Sequence, residues 1–238
     1  MKILVFGDIH GRTGYADVID REDPDKIIFL GDYVSSHENI SGEQQVEVVS
    51  DIIERKKVEP NKYILLRGNH DTQHLGYYWA ESCAYNPIAG HWMQLHKEEF
   101  LENTQWVYID EEQKLLFSHA GVSDVWLKEQ EINDIHEINN IEPCEKFGFI
   151  SNRFSDYYGE SVTQPPVWIR PAALIQCYHK GYTQIVGHTP VAKTILNLRE
   201  VPVFAGKLEN DIWLCDNFPQ QYLVIEDGKF IVRDIQPV

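Results

Sequence analysis

The sequence has 238 residues, 43% of them hydrophobic, and a formal net charge of −16. This length suits one large domain, or a domain with insertions, that can bury a substantial core. The acidic balance argues against a passive nucleic-acid binder, which needs a basic patch for the phosphates, although bound cations can reverse the local field in a metal enzyme. No apolar run approaches the roughly 20 residues needed to span a bilayer.

The cysteines and the N-terminal segment predict a reducing compartment. Four cysteines lie far apart and form no CxxC pair: Cys83, Cys144, Cys177 and Cys215. This spacing predicts neither a zinc knuckle nor a disulfide framework, so the thiols are expected to be reduced and buried. The apolar run before Gly7 is too short for a secretory signal. We therefore expect a cytoplasmic protein.

Five short apolar runs predict strands that are buried on both faces, as in a layered α/β fold. In chain order they are KILVF (2–6), KIIFL (26–30), KYILL (62–66), KLLFS (114–118) and TQIVG (183–187). The tail contains DIWLCD (211–216) and then an alternating segment, 221–234, which predicts a hairpin that turns at Asp227 and Gly228.

Residues 41–57, between the second and third runs, predict a helix. Ser41 can cap it and Gln44 completes a capping box. Its apolar stripe follows the helical period: Val46, Val49, Ile52 and Ile53. The aromatic-rich segment 72–106 is expected to combine irregular structure with helix, and 123–180 to be helical or loop-rich. We expect a single domain over 1–238, with these two segments as insertions.

Each of the five apolar runs ends in small residues followed by Asp, Asn or His. The breaks are GDIH (7–10), GDY (31–33), GNHD (68–71), SHAG (118–121) and GHTP (187–190). One such break suits a turn, but ligands in α/β sheets bind at the carboxyl ends of strands, so five breaks predict one shared site. The side chains expected there are Asp8, His10, Asp32, Asn69, His70, His119 and His188. Oxygen and imidazole donors suit Mn²⁺, Fe²⁺ or Zn²⁺, and a bridging carboxylate can hold two ions that activate water.

This motif series resembles the calcineurin-like metallophosphoesterases, whose pattern is GDxH, GDxxD, GNH(D/E), an HAG-like turn and GHxx. The resemblance implies a four-layer α/β fold, a two-sheet β-sandwich flanked by helices. It also implies two divalent metal ions (Mn²⁺, Fe²⁺/Fe³⁺ or Zn²⁺). Carried over by motif, the ligands of the first ion are Asp8, His10 and Asp32, and those of the second are Asp32 as the bridge, Asn69, His119 and His188. In the family a metal-bridging hydroxide attacks phosphorus, and His70 would protonate the leaving-group oxygen.

The last motif narrows the subclass that the resemblance implies. Many phosphodiesterases of the family end in GHxH, whereas Pro190 fills that place here. Together with RGNH, the single-histidine GHTP resembles the phosphoprotein phosphatase branch, including its phage and bacterial members. Arginines bind the substrate phosphate in that branch, which fits the fork geometry of guanidinium groups. The positions that match are Arg170, between HAG and GHTP, and Arg67, before GNH.

One motif departs from this branch. Where the branch reads GDxxDRG, this chain has Ser35, Ser36 and His37 in place of Asp, Arg and Gly. The absent Asp would have oriented and polarised His70, and the absent Arg would have held phosphate. We therefore expect a less polarised His70 and a substrate that can differ from phosphoserine, and we hypothesise that His37 replaces the lost positive group.

The predicted activity is the hydrolysis of phosphomonoesters, on a phosphoprotein or a small molecule, by a metal-dependent phosphatase. One alternative is a diadenosine-tetraphosphatase-like nucleotide hydrolase, in which an aromatic cluster can stack on a base: Tyr77, Tyr78, Trp79 and Trp92. Another is a metal-binding scaffold without catalysis. The aromatic cluster and three further histidines otherwise suit packing or surface positions: His74, His91 and His96. The expected partner is the phosphorylated substrate, with no membrane and no stable nucleic-acid complex.

Overall fold

The computed structural model describes residues 1–77, 79–80, 83–148, 159–201 and 208–235. The first of two five-stranded sheets contains β1 (Lys2–Phe6), β2 (Lys26–Phe29), β3 (Tyr63–Leu65), β9 (Gln221–Glu226) and β10 (Lys229–Asp234). Its spatial order is β10-β9-β1-β2-β3. The strands β1, β2 and β3 run parallel, and β9 and β10 extend the sheet in antiparallel pairing.

The second sheet has a parallel centre and an antiparallel strand at each margin. It contains β4 (Val107–Asp110), β5 (Leu115–Ser118), β6 (Thr183–Val186), β7 (Leu196–Asn197) and β8 (Ile212–Leu214). Its spatial order is β4-β5-β6-β8-β7, in which β5, β6 and β8 are parallel neighbours. The two sheets therefore each present several carboxyl strand ends on one edge.

Helices cover the outer faces of both sheets. They are α1 (Tyr15–Glu22), α2 (Gly42–Val58), α3 (Asn69–His74), α4 (Pro87–Leu95), α5 (Lys97–Asn103), α6 (Asp124–Glu129) and α7 (Pro171–Cys177), with 3₁₀ turns at Ile135–Asn140 and Glu145–Phe147. None of the helices in the described part of the chain has the length and apolarity to cross a membrane.

Strand β1 shows why continuous apolar runs suit this architecture. Ile3 and Val5 belong to the core between the sheets, which also contains Phe117 of the second sheet. Leu4 and Phe6 point the other way and pack with the helices that cover the first sheet. Separate apolar clusters bury the outer face of the second sheet. The resulting order of helices, sheet, sheet and helices confirms the predicted fold class.

The predicted elements agree with the structure in position and differ in detail. All five predicted strands are present, although most lose a residue at an end, and the hairpin turns at Asp227 and Gly228, where φ is 49° and 73°. Ser41 caps α2, accepting a hydrogen bond from the Gln44 amide at 3.2 Å. The predicted capping box was wrong in its second half, because the Gln44 side chain donates to the Gly11 carbonyl instead.

The prediction of four reduced, buried thiols was correct only in part. All four cysteines are free, but only Cys215 is buried, Cys144 and Cys177 are half-buried, and Cys83 is exposed. Cys215 is buried because it directly follows β8 and packs in the apolar core between the two sheets, whereas Cys83 lies on an irregular segment before α4. Burial of each thiol thus depends on tertiary position, which spacing along the chain does not report.

Candidate metal centre

The polar motifs meet where the parallel strands of both sheets end. Asp8 and Asp32 follow β1 and β2, Asn69 opens α3 after β3, and His119 and His188 follow β5 and β6. Carboxyl strand ends are where open α/β sheets bind ligands. Ligand atoms of Asp8, Asp32 and His119 lie within 4.8 Å of one another, and all three residues are buried.

Strained backbone directs three of these side chains. The φ angle is 48° at His10, 53° at Asp32 and 61° at His188, and such left-handed geometry costs about 1–2 kcal/mol per non-glycine residue. The amide of His10 donates to the Asp32 carbonyl at 2.8 Å, and the amide of His188 donates to Oδ1 of Asp8 at 2.9 Å. Strain held by surrounding hydrogen bonds is typical of functional sites.

Glycines let the motif loops touch. Gly31 has φ of 106°, and a Cβ placed there would lie 2.6 Å from the Gly68 amide nitrogen. A Cβ on Gly7 would overlap the carbonyl oxygen of Cys215, where β8 passes close to the end of β1. The first contact brings the Asp32 and Asn69 loops together, and the second brings the Asp8 loop to the segment after β8 that carries Asp216.

The candidate ligand atoms fall into two groups that meet at Asp32 and Asp8. Nε2 of His119 lies 2.9 Å from Oδ1 of Asn69 and 3.4 Å from Oδ2 of Asp32. Nε2 of His10 lies 3.9 Å from Oδ2 of Asp8. The donors thus lie close enough together to coordinate metal ions.

Backbone carbonyls fix three of the histidine rings. Nδ1 of His10 lies 2.9 Å from the Val34 carbonyl, Nδ1 of His119 lies 2.8 Å from the Leu30 carbonyl, and Nε2 of His188 lies 3.1 Å from the Trp168 carbonyl. In each ring the N–H donates to the carbonyl, so the opposite nitrogen is directed to the site. Metal-binding histidines are typically oriented in this way.

The buried carboxylates carry more negative charge than the site neutralises. Burial, together with the neighbouring Asp216, raises the pKa of Asp8 well above its usual range. Burial and the charge of Asp32 raise the pKa of Asp216 to about 6. Burial opposes ionisation of His119, but Asp32 and Asp8 outweigh it and raise the pKa of His119 to about 10. Bound cations would relieve this repulsion, so the donor set fits divalent metal ions.

Asp216 is a functional candidate that the sequence reasoning missed. It is 8% exposed and follows β8, just as Asp8 and Asp32 follow their strands. The segment DIWLCD carried the same signal, an apolar run that ends in an acidic residue. It was overlooked because no GD or GH dipeptide marks the break.

His70 lies beside the carboxylates and is held by a network of its own. Its amide donates to Oδ1 of Asp32 at 2.9 Å, and its ring centroid is 5.3 Å from that of His10. Burial lowers the pKa of His70 to about 4 despite the opposing charge of Asp32. Ser35, at the position of the branch's polarising Asp, has its hydroxyl 3.4 Å from Nδ1 of His74. The lowered pKa is in the direction expected of a buried imidazole.

Asp71 was not singled out from the sequence, but the structure gives it a central position. Its buried carboxylate accepts hydrogen bonds from the amides of Asp32, Tyr33 and Gly68, at 2.8, 2.9 and 2.8 Å. These bonds connect the loop after β2 to the start of α3. Asp71 therefore positions both Asp32 and His70. Its signal was the final letter of GNHD.

The two predicted arginines occupy different surroundings. Arg170 is half-buried and its NH1 donates to the His188 carbonyl at 2.8 Å and to Oγ1 of Thr189 at 3.2 Å. The charges of Asp8, Asp216 and Asp32 oppose the effect of burial, which lowers the pKa of Arg170. Arg170 thus lies at the acidic cluster.

The guanidinium group of Arg67 points into the protein instead. Nε donates to Oγ1 of Thr104 at 2.8 Å, and NH2 donates to the carbonyls of Leu101 and Thr104 at 2.7 and 2.6 Å. The group also lies over the ring of Trp106, 4.8 Å from its centroid. These contacts favour a structural role, and the structure does not bring the Arg67 side chain to the candidate ligands.

The described aromatic residues of segment 72–106 pack mainly against neighbours in that segment. Tyr77 stacks on Trp79, which is 6% exposed, and Trp92 stacks on His96. His74 is buried and stacks on Tyr85. His91 is exposed. Tyr78 lies outside the described residues. These positions agree with packing and surface roles.

Comparison with known proteins matches the geometry. The family model for calcineurin-like phosphoesterases matches residues 1–192. Two putative serine/threonine-protein phosphatases of Caenorhabditis elegans are similar: one is 31% identical over 150 residues, which is 60% of this chain and 37% of the relative, and the other is 29% identical over 126 residues, 51% and 26% respectively. The chain thus matches about a quarter to somewhat over a third of the length of these relatives.

Solved structures show the same fold at low sequence identity. A protein serine/threonine phosphatase from Saccharomyces cerevisiae, described as similar to human phosphatase PP5, has a TM-score of 0.62 and 14% identity, with 100% of this chain and 80% of that chain covered. A cold-active protein tyrosine phosphatase has a TM-score of 0.61 and 16% identity, with 98% and 76% covered.

The fold and the acidic, histidine-rich site define a metallophosphoesterase. The chain belongs to the calcineurin-like phosphoesterase family, because the family model matches well over half of it. This confirms the family predicted from the motifs, a family of phosphoesterases that use divalent metal ions.

Proposed function

We propose that this chain is a dinuclear metal-dependent phosphatase that hydrolyses phosphomonoesters, either on a phosphoprotein or on a small molecule. The observation that carries the proposal is the buried cluster of Asp8, Asp32 and His119, in which carboxylates repel one another and the histidine ring is fixed by a backbone carbonyl. Bound divalent ions would supply Lewis-acid activation of water and of the phosphoryl oxygens.

The proposed ligands follow the two groups of donors. Asp8, His10 and Asp32 would hold one ion, and Asp32, Asn69, His119 and His188 would hold the other. Asp32 is the proposed bridge because Nε2 of His119 lies 3.4 Å from one of its oxygens while the other accepts from the His70 amide. His188, whose amide donates to Asp8, connects the two groups.

Arg170 is the proposed phosphate-binding group. Its hydrogen bonds to the His188 carbonyl and to Thr189 orient the guanidinium plane at the edge of the acidic cluster. A guanidinium group held in this way can donate two parallel hydrogen bonds to phosphate oxygens. Arg67 has no part in the proposed phosphate binding, because its guanidinium group points into the protein.

His70 is the proposed proton donor to the leaving-group oxygen. Its lowered pKa of about 4 leaves the ring neutral in the substrate-free protein at neutral pH. A phosphate dianion bound beside the ring would raise the pKa, because a nearby negative charge favours the protonated imidazole. His70 therefore acquires its proton in the substrate complex.

The direct test is the initial rate on p-nitrophenyl phosphate and on bis-p-nitrophenyl phosphate with added Mn²⁺. We expect monoester hydrolysis that disappears on chelation and falls at least about 100-fold in Asp32→Asn, since loss of an outer-sphere partner alone costs about 10–100-fold in affinity or activity. A preference for the diester would contradict the proposed substrate class.

If the metal-bound protein hydrolyses neither substrate, the proposed phosphomonoesterase activity is contradicted. Diadenosine tetraphosphate then separates the two alternatives. Its turnover would identify a nucleotide phosphoanhydride hydrolase, and its stability in the presence of the metal-loaded protein would indicate a scaffold without catalysis.

A further inference from the structure

A second cluster of potential metal ligands lies beside the candidate metal centre. His37, His70 and Cys83 each direct one ligand atom to within 4.8 Å of the other two. His37 and Cys83 are exposed, whereas His70 is buried and belongs to the proposed catalytic site. The ring centroids of His37 and His70 are 6.2 Å apart, at an interplanar angle of 85°. The cluster therefore extends from the catalytic histidine to the surface.

The separations suit a small tetrahedral ion. Sγ of Cys83 lies 3.5 Å from Nε2 of His37. Zinc binds thiolate sulfur at about 2.3 Å and imidazole nitrogen at about 2.0–2.1 Å, so two such ligands at a tetrahedral angle are about 3.6 Å apart. The cluster needs little rearrangement to close around an ion at this pair of atoms.

The donor types distinguish this cluster from the candidate metal centre. The centre offers carboxylates, imidazoles and an amide oxygen, which accept Mn²⁺ and other hard or borderline ions. The cluster offers one thiolate and two imidazoles, which favour Zn²⁺ over Mn²⁺. One of its members departs from the resembled branch, since His37 stands where that branch has Gly, and Cys83 lies on the segment before α4.

We propose that His37, His70 and Cys83 form a separate, thiolate-containing binding site for Zn²⁺ or a similarly soft divalent ion. Three protein ligands leave a fourth position for water, as in open tetrahedral sites. Binding replaces the thiol proton of Cys83, which is released to solvent.

Occupancy of this site would inhibit the enzyme. The inhibition rests on the proposed function, in which His70 gives a proton to the leaving group, because an imidazole bound to zinc cannot deliver that proton.

Cobalt absorption tests the site without reference to activity. Protein loaded with Mn²⁺ is titrated with Co²⁺, and the absorption band for thiolate-to-cobalt charge transfer is recorded. Oxygen and nitrogen ligands do not produce this band. We expect the band in the wild-type protein and in Cys177→Ser, a matched control at a half-buried cysteine in α7, and its loss in Cys83→Ser. Absence of the band in wild type, or its persistence in Cys83→Ser, would overturn the proposal.

Zinc inhibition of p-nitrophenyl phosphate hydrolysis tests the consequence. Cys83→Ser should keep the basal rate, and the Zn²⁺ concentration for half-inhibition should rise at least about 10-fold relative to wild type and Cys177→Ser, in line with the cost of disturbing a metal site. Equal inhibition of wild type, Cys177→Ser and Cys83→Ser would show that the inhibitory ion binds at a site without Cys83. A protein with the band but no hydrolysis under any condition would support the zinc site and contradict the proposed phosphatase, so the two failures are distinguishable.

Discussion

At the scale of single residues, Arg67 and Arg170 show how one motif rule can describe two different side chains. Both positions were predicted from where arginines bind phosphate. The structure places Arg170 beside the acidic cluster and directs Arg67 to the carbonyls of Leu101 and Thr104. The rule identifies the position of an arginine along the chain but not the direction of its side chain.

This difference predicts opposite outcomes for the two substitutions. Arg67→Met should lower the free energy of unfolding by about 1.5–3 kcal/mol, the range for hydrogen bonds to a charged group, and change kcat/KM less than about 3-fold. Arg170→Met should lower kcat/KM at least about 10-fold by removing a phosphate contact. Urea unfolding and p-nitrophenyl phosphate kinetics measure both. If Arg67→Met had wild-type stability and a strongly lowered kcat/KM, Arg67 would have to be a phosphate-binding residue after all.

His70 gives a prediction that depends on the leaving group. A proton donor matters most when the leaving oxygen is a poor leaving group, so His70→Gln should reduce kcat for an alkyl phosphate by about 10²–10⁴-fold. The loss for p-nitrophenyl phosphate should be much smaller, because p-nitrophenolate leaves without a proton. His91→Gln, on the exposed face of α4, is the control and should change neither rate. Equal losses on both substrates would argue for a positioning role.

Most of the candidate site could be predicted from strand-end motifs, and the exceptions have physical reasons. Asp8, Asp32 and His119 come together because they end parallel strands, and the apolar runs reveal those strands. Asp71 was missed although GNHD contains it, because the backbone amides that its carboxylate binds cannot be identified from the sequence. Asp216 was missed because its strand comes from the tail, after the last motif.

At the scale of elements, the loops after β2 and β3 depend on contact between two glycines. Gly31 combines a positive φ with a close approach to the Gly68 amide. Gly14, before α1, has a similar φ of 99° but no atom within 4 Å of the position where a Cβ would stand. A comparison of Gly14 with Gly31 therefore separates the effect of backbone strain from the effect of steric overlap.

Gly31→Ala should therefore be much more harmful than Gly14→Ala. The left-handed backbone costs each variant at least about 1–2 kcal/mol, but only Gly31→Ala also pushes the Asp32 loop away from α3. We expect weaker Mn²⁺ binding, at least about 10-fold, in Gly31→Ala alone, measured by calorimetry beside thermal unfolding. Similar metal affinity in both variants would contradict a steric role for this contact.

The interiors of the elements were easier to predict than their ends and their faces. In α2 the stripe of apolar residues gave the helix, but Gln45 is buried in the structure while Val46 is only partly buried. Gln45 is buried because its side chain accepts from the Ser35 amide and donates to the Ile40 carbonyl. Gln45 thus occupies a buried position because it satisfies hydrogen bonds of a loop, whereas hydrophobicity alone predicts that Val46 is the buried residue.

At the scale of the whole molecule, the charges of the candidate metal centre make stability depend on pH. The pKa of Asp216 is raised from 3.8 to about 6, so the metal-free folded protein binds more protons than the unfolded chain between these values and loses stability as pH rises through them. His119 acts in the same direction at higher pH: its pKa is raised from 6.5 to about 10, and its stabilising proton is lost as pH rises through 10.

Glu22 works in the opposite direction at lower pH. Burial would raise its pKa, but hydrogen bonds from Lys2, Tyr222 and Arg233 outweigh burial and hold the pKa at about 2. A carboxylate with a lowered pKa stabilises the fold above its ordinary value of 4.5, and this stability is lost as pH falls toward 2. Glu22 and His70, whose pKa is lowered to about 4, therefore favour the metal-free fold as pH rises, whereas Asp216 and His119 favour it as pH falls.

Metal should stabilise the protein more at higher pH. Mn²⁺ should raise Tm more at about pH 7.5 than at about pH 5, because ions and protons compete for the same ligands. At 100 times its Kd, a metal adds about 2.7 kcal/mol. Scanning calorimetry with and without chelator measures this difference. Asp216→Asn is the matched variant: without metal, its Tm should rise relative to that of wild type as pH increases from about 4 to 6, because the variant lacks the stability that Asp216 loses in this range.

The layered fold was predictable from the resemblance, but the order of strands within the sheets was not. Apolar runs predict which segments are strands but not which strands pair, because pairing depends on chain closure over long sequence distances. Thus β9, near the end of the described chain, pairs with β1 at its beginning, and β8 pairs with β6. No local signal in the tail indicated that it would complete both sheets.

This pairing has a consequence for synthesis on the ribosome. Translation at about 5–20 residues per second leaves roughly 10–45 s between the emergence of β1 and that of β9. During this interval the nascent chain carries β1 with one long edge unpaired, and the close contact of Gly7 with Cys215 cannot yet form. Asp8, a proposed metal ligand beside β1, therefore waits for these later strands before its pocket closes, and we expect ion capture to follow their synthesis.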